Sequence, residues 1–150
     1  MTEKKEENSK AVSHADKTTD DSVLVFQGLV GIAVWMSFGL LLEGLIAFRV
    51  PMYILDQVTR ELFRLAHAHG TLLSLVLIAA GLCWRSGFIA PPRIAKLSLQ
   101  IGALLMPVGF LLGGIGHYES DPSSLVFLAP LGGVMVIFGI VACAVSFKRN

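Results

Sequence analysis

Leu65-Ala66-His67-Ala68-His69-Gly70-Thr71-Leu72-Leu73-Ser74 opens a long apolar run that closes near Trp84 and carries two of the four histidines. The run Leu62–Trp84 reaches the roughly 20 residues a helix needs to cross a bilayer core. Three other runs match it. Ser22–Phe48 has Glu43 as its only charged residue, Ile94–Gly116 ends at His117, and Ser124–Phe147 closes the chain. A span in lipid must satisfy its own backbone hydrogen bonds, so each run is read as a helix. Pro51, Pro91-Pro92 and Pro122 fall in the three connections, while Pro107 and Pro130 fall inside spans and predict kinks there.

Composition agrees. Of 150 residues, 54% are hydrophobic and 15% charged, against roughly 25% charged in soluble domains. Mean hydropathy is +0.70. A net charge of +1 offers no field for nucleic acid. Cys83 and Cys143 form no disulfide framework or metal-spacing motif, and read as small buried thiols. Residues 1–21 are polar, with acidic and basic groups mixed and no aromatic residue, which predicts disorder; His14 lies here as a solvated residue. The tail does not read as a signal peptide, because the apolar run behind it is too long. The expected fold is all-α: a four-transmembrane-helix antiparallel bundle over 22–150 with a disordered N-terminal tail over 1–21. Spans are expected at about 22–48, 62–84, 94–116 and 124–147.

Lys4, Lys5, Lys10 and Lys17, then Arg85, Arg93 and Lys96, then Lys148 and Arg149 share one side of such a bundle. Only Arg49, Arg60 and Arg64 oppose them. The positive-inside bias therefore places both termini in the cytoplasm of a cell-membrane protein. Met52–Arg64 mixes apolar and charged residues as an amphipathic surface segment. The short third connection makes the third and fourth spans antiparallel neighbours, with Asp121 or Ser123 capping the fourth.

At about 100° per residue, His67, Gly70, Thr71, Ser74 and Gly81 share one face of the second span. His69 falls nearly opposite, beside Leu62, Leu65, Leu73 and Val76. Small and hydroxyl residues favour helix contact in membranes, whereas a leucine face suits lipid. His67 is thus expected inside the bundle and His69 toward the interface. Similar stripes run through Gly28, Ile32, Met36, Gly39 and Glu43, through Gly102, Met106, Gly109, Gly113 and His117, and through Ala129, Gly132, Val136, Gly139 and Cys143. They predict one tight bundle in which Glu43, His67 and His117 meet at the outer end.

An ionisable group near hydrocarbon usually has a partner or a task. Haem ligation is the first reading: His67 and His117 as axial ligands of haem iron, His69 as an alternative, Met36 or Met106 as weaker ones, and Arg49 or Arg64 for propionates. It would imply electron transfer with a membrane redox partner. A zinc or copper site is the second, using His67, His117, Glu43 and Glu119 or Asp121. The third is an enzyme on a small lipid-soluble molecule, with Glu43 as catalytic base and His67 or His117 as acid. Against these stands a structural or assembly role, with Glu43 paired to Arg49 or Arg64, the histidines at headgroup level, and lipid or a second copy of the chain as the partner.

Leu65–Gly81 resembles the haem-bearing second helix of subunit I of the haem–copper oxidases. That resemblance implies a low-spin haem ligand at His67 or His69. It covers one helix of four and implies no oxygen reduction. Ala66-His67-Ala68-His69-Gly70 in a four-span chain is also similar to an Ala-His-Leu-Glu-Gly segment of small membrane proteins of the hydroxylaminobenzene mutase type. Ala66, His67 and Gly70 match, and His69 stands where that family has Glu. This resemblance implies a mutase-like activity on small aromatic or quinone-like molecules.

Overall fold

The computed structural model describes residues 3–87, 91–116 and 121–148, with side chains over 22–87, 91–116 and 121–146. Helix α1 runs Glu3–Ala47, α2 is the single turn Pro51–Ile54, α3 runs Gln57–Arg85 and α4 runs Arg93–Gly113. A 3-10 turn, Ser124–Phe127, leads into α5, Leu128–Lys148. Among the described residues, four stretches are long and apolar enough to cross a bilayer: Ser22–Ala47, Gln57–Arg85, Arg93–Gly113 and Ser124–Ser146. The chain is therefore a multi-pass, all-α membrane protein. The expectation for the tail, residues 1–21, falls outside the residues whose side chains are described.

The helices lie in sequence order, α1 against α3, α3 against α4 and α4 against α5. The close approaches fix their antiparallel sense. A Cβ added at Gly28 would meet the Ser74 carbonyl at 2.6 Å, and one at Gly70 would collide with the Trp35 ring. One at Gly102 would meet the Gly132 carbonyl at 2.7 Å, and one at Gly113 would meet Val126 at 2.8 Å. The small-residue stripes thus close two by two, α1 on α3 and α4 on α5, and not around one shared centre as the sequence reading had them. A stripe lets backbones approach but does not select the partner. The two pairs join through α3 and α4. At the end that carries the termini, Leu24, Leu73, Leu77, Trp84, Leu99, Ala103 and Val136 form a common core. There the Gln27 side chain donates to the Gln100 carbonyl at 3.2 Å.

Because α3 is a middle helix, much of its leucine face is covered, although Leu65 stays exposed. Leu62 and Leu73 are buried, and His69 packs on Phe110 of α4 with ring centroids 5.1 Å apart. The expected lipid-facing leucine stripe is not found there, because α3 has two contact faces where helical projection supplies one. Lipid instead meets outward side chains such as Leu40, Leu72, Val134 and Ile137, all largely exposed.

At the loop end, Asp56 caps α3 by accepting from the Thr59 amide at 3.0 Å, and the Thr59 hydroxyl reaches the Gly114 carbonyl at 2.8 Å. The α3 helix therefore starts at Gln57, five residues before the expected Leu62, and absorbs most of the amphipathic segment. Ser123 occupies the N-cap position of the 3-10 turn without a side-chain cap, because its hydroxyl donates to the Leu112 carbonyl at 2.9 Å. Pro107 is buried inside α4, whereas Pro130 falls in the first turn of α5, where no helical bond is lost. Arg49 takes a left-handed φ of 50° as α1 ends, and Val50 donates back to Leu45 at 3.0 Å.

Candidate functional site

The face of α1 that meets α3 carries Gly39 and, one turn later, Glu43. The facing stretch of α3 carries His67 and, one turn nearer the loop end, Arg64. Antiparallel packing brings these to matching heights. The result is a groove of about 590 Å³ between α1 and α3, lined by Met36, Gly39, Leu40, Leu42, Glu43, Ile46, Tyr53, Arg64, His67 and Ala68. No residue of α4 or α5 contributes. The end at Met36 and Leu40 is apolar and open, with both side chains largely exposed, and the polar groups gather at the loop end.

Gly39 makes the site. The His67 imidazole lies against the α1 backbone there, and a Cβ at Gly39 would stand 2.6 Å from Nδ1 and 2.9 Å from Nε2. Nδ1 is 2.7 Å from the Trp35 carbonyl oxygen. A carbonyl only accepts, so Nδ1 carries the proton. Neutral His67 therefore presents an unprotonated Nε2. In its neutral form His67 is thus an acceptor or ligand, and it acts as an acid only after gaining a proton.

Glu43 and Arg64 line the groove from opposite helices. Among the described residues, Glu43 makes no ion pair with Arg49 or Arg64. Arg60 donates to the Ile54 carbonyl and so braces the α2 turn. Arg49 lies at the α1–α2 turn, outside the groove lining.

In the sequence Tyr53 stands out only as part of an amphipathic segment. It is 3% exposed, lines the groove, and stacks on Phe63 at 6.4 Å. Among the described residues its buried hydroxyl has no hydrogen-bond partner. Burial pushes the phenol above its ordinary pKa, against the opposing pull of Arg64 and Arg60, with Glu61 adding to the rise. The one available signal was a hydroxyl-bearing aromatic in a turn fixed by Pro51.

The two histidines of the opening stretch do not converge. His69 donates from Nδ1 to the Leu65 carbonyl at 2.9 Å and faces Phe110, while His67 faces α1. They cannot share one iron. Met36 lines the groove, whereas Met106 packs beside Gly132 in the α4–α5 contact. His117 and Glu119 lie outside the described residues, so the pairing of His67 with His117 and the metal set built on it fall there too. Among the described residues no group of three His, Cys, Asp or Glu side chains gathers as a metal site.

Comparison with protein-family models, curated proteins and solved structures finds no match to this chain. The class that the fold defines is a multi-pass membrane protein, and any finer reading rests on the groove itself.

Proposed function

We propose that the α1–α3 groove binds a small lipid-soluble aromatic or quinone-like molecule, and that Glu43 and His67 exchange protons with it. The observation that carries this reading is Glu43, which lines the groove beside His67 without an ion pair to Arg49 or Arg64. A carboxylate serving only structure would be held by one of those arginines; one held open to a ligand is free to accept a hydrogen bond or a proton. A phenol or similar group entering from lipid meets two acceptors, the Glu43 carboxylate and His67 Nε2. If its proton passes to either, the resulting oxyanion faces Arg64, whose charge stabilises it. In this reading the groove opens at the outer leaflet, because Lys and Arg concentrate at the opposite end.

The test is calorimetric titration of the detergent-purified protein with short-tailed alkylphenols. Wild type binds, and Glu43→Gln loses about tenfold in affinity without losing thermal stability. Equal affinity in both proteins overturns the reading.

A second reading, haem ligation by His67, has its own support. The Nδ1–H bond to the Trp35 carbonyl is the arrangement that orients ligating histidines. His67 would hold the iron, Met36 lines the same groove as a further donor, and Arg64 would face a propionate. Haem would supply one-electron chemistry there, and an absorption spectrum of purified protein without a Soret band removes this reading.

A further inference from the structure

Tyr53 carries a cost that the fold does not explain. Its side chain lines this groove and the adjoining pocket beside Phe63, and its buried hydroxyl has no partner among the described residues, which is unfavourable. Replacing it with Phe would keep the stack on Phe63 and remove that cost. A ligand offering an acceptor atom would satisfy it.

The polar groups of the groove also sort by kind. Arg64 and the Tyr53 hydroxyl can donate. Glu43 and His67 Nε2 accept. His67 faces Gly39, one helical turn below Glu43, so the two levels are about 6 Å apart along the helix axis. That is close to the span of a benzene ring with two para oxygens. We infer that the ligand has two oxygens on opposite sides of one ring, the first donating its proton toward His67 Nε2, the second, one turn nearer the loop end, donating to Glu43 and accepting from Tyr53 and Arg64. The class is a hydroquinone-like aromatic with a short apolar tail, and not a simple phenol or an alkylbenzene. This inference rests on the groove reading above.

The protein remains intact in the test, because Tyr53→Phe removes no hydrogen bond present in the structure. Its thermal midpoint is expected to stay level or rise. The probes are 2-heptyl-1,4-hydroquinone, handled anaerobically, and 3-heptylphenol, which lacks the second oxygen. Each is titrated calorimetrically into wild type, Tyr53→Phe and Ala68→Phe, the last filling the groove. Wild type should bind the hydroquinone about tenfold more tightly than the phenol. Tyr53→Phe should lose that preference by weakening the hydroquinone alone, and Ala68→Phe should bind neither. If wild type shows no preference, or if Tyr53→Phe keeps it, the inference fails and the groove reading stands. If wild type binds neither probe, or Ala68→Phe binds both as wild type does, the groove reading fails as well.

Discussion

Gly39→Ala is the sharpest perturbation of this structure. The new methyl carbon would stand 2.6 Å from His67 Nδ1 and 2.9 Å from Nε2, far inside van der Waals contact. The imidazole must swing away, and its 2.7 Å bond to the Trp35 carbonyl goes with it. Overpacking a close contact costs about 1–3 kcal/mol, and a lost hydrogen bond about 1 kcal/mol. Alanine returns about 1 kcal/mol as a better helix former than glycine. The net is a destabilisation of about 1–3 kcal/mol, read by SDS-induced unfolding in mixed micelles. Gly44→Ala is the control, because nothing lies within 4 Å of its added methyl, so it is expected to be neutral or stabilising by up to about 1 kcal/mol. In a His67→Ala background the clash disappears and Gly39→Ala becomes neutral or favourable. The cycle therefore gives a coupling of about 1–4 kcal/mol between the two positions. If Gly39→Ala is tolerated as well as Gly44→Ala, or if its cost survives in the His67→Ala background, the placement of His67 on α1 is wrong.

Other outcomes follow from the same contacts. Gly102→Ile drives a branched side chain into the Gly132 carbonyl and Val136, and is expected to cost about 2–4 kcal/mol in SDS unfolding while leaving alkylphenol binding in the α1–α3 groove unchanged. Arg49→Gly relieves a left-handed residue at the end of α1; it should stabilise by about 1 kcal/mol and leave groove binding unaltered, both measured on the same preparation. Tyr53 keeps its proton above the ordinary phenol pKa of 10.0, so the packing it supports is fully present below pH 10 and lost as pH rises through the higher folded value. Absorbance at 295 nm should show one late-titrating tyrosine, absent from Tyr53→Phe.

The four spans were legible because hydrocarbon thickness imposes a length and a composition that few other constraints imitate. The direction of His67 was legible too, because Gly70 and Ser74 mark the face that α1 can approach closely. The partner of each stripe was not. Gly102 and Gly109 carry the same local signal as Gly28 and Gly39, yet the first two meet α5 and the others meet α3. Which pairing wins depends on side-chain fit along whole helices. One consequence is His69: with α3 between two neighbours, the face opposite His67 is a second contact face, and an aromatic of α4 covers it.

The donor half of the site was illegible for a related reason. Glu43 and His67 stand out as ionisable residues in apolar runs, while Tyr53 lies in a turn of ordinary interfacial composition. Its importance comes from burial without a partner, and burial appears only once α2 has folded back over Phe63. The acceptors can be read one helix at a time, whereas the donor emerges from three elements together. A search of sequences for this groove would therefore have to require a hydroxyl-bearing aromatic shortly after the proline of the first connection, together with the glycine four residues before the span's carboxylate. Those two positions, and not the paired histidines, are where the α1–α3 geometry leaves its mark on the chain.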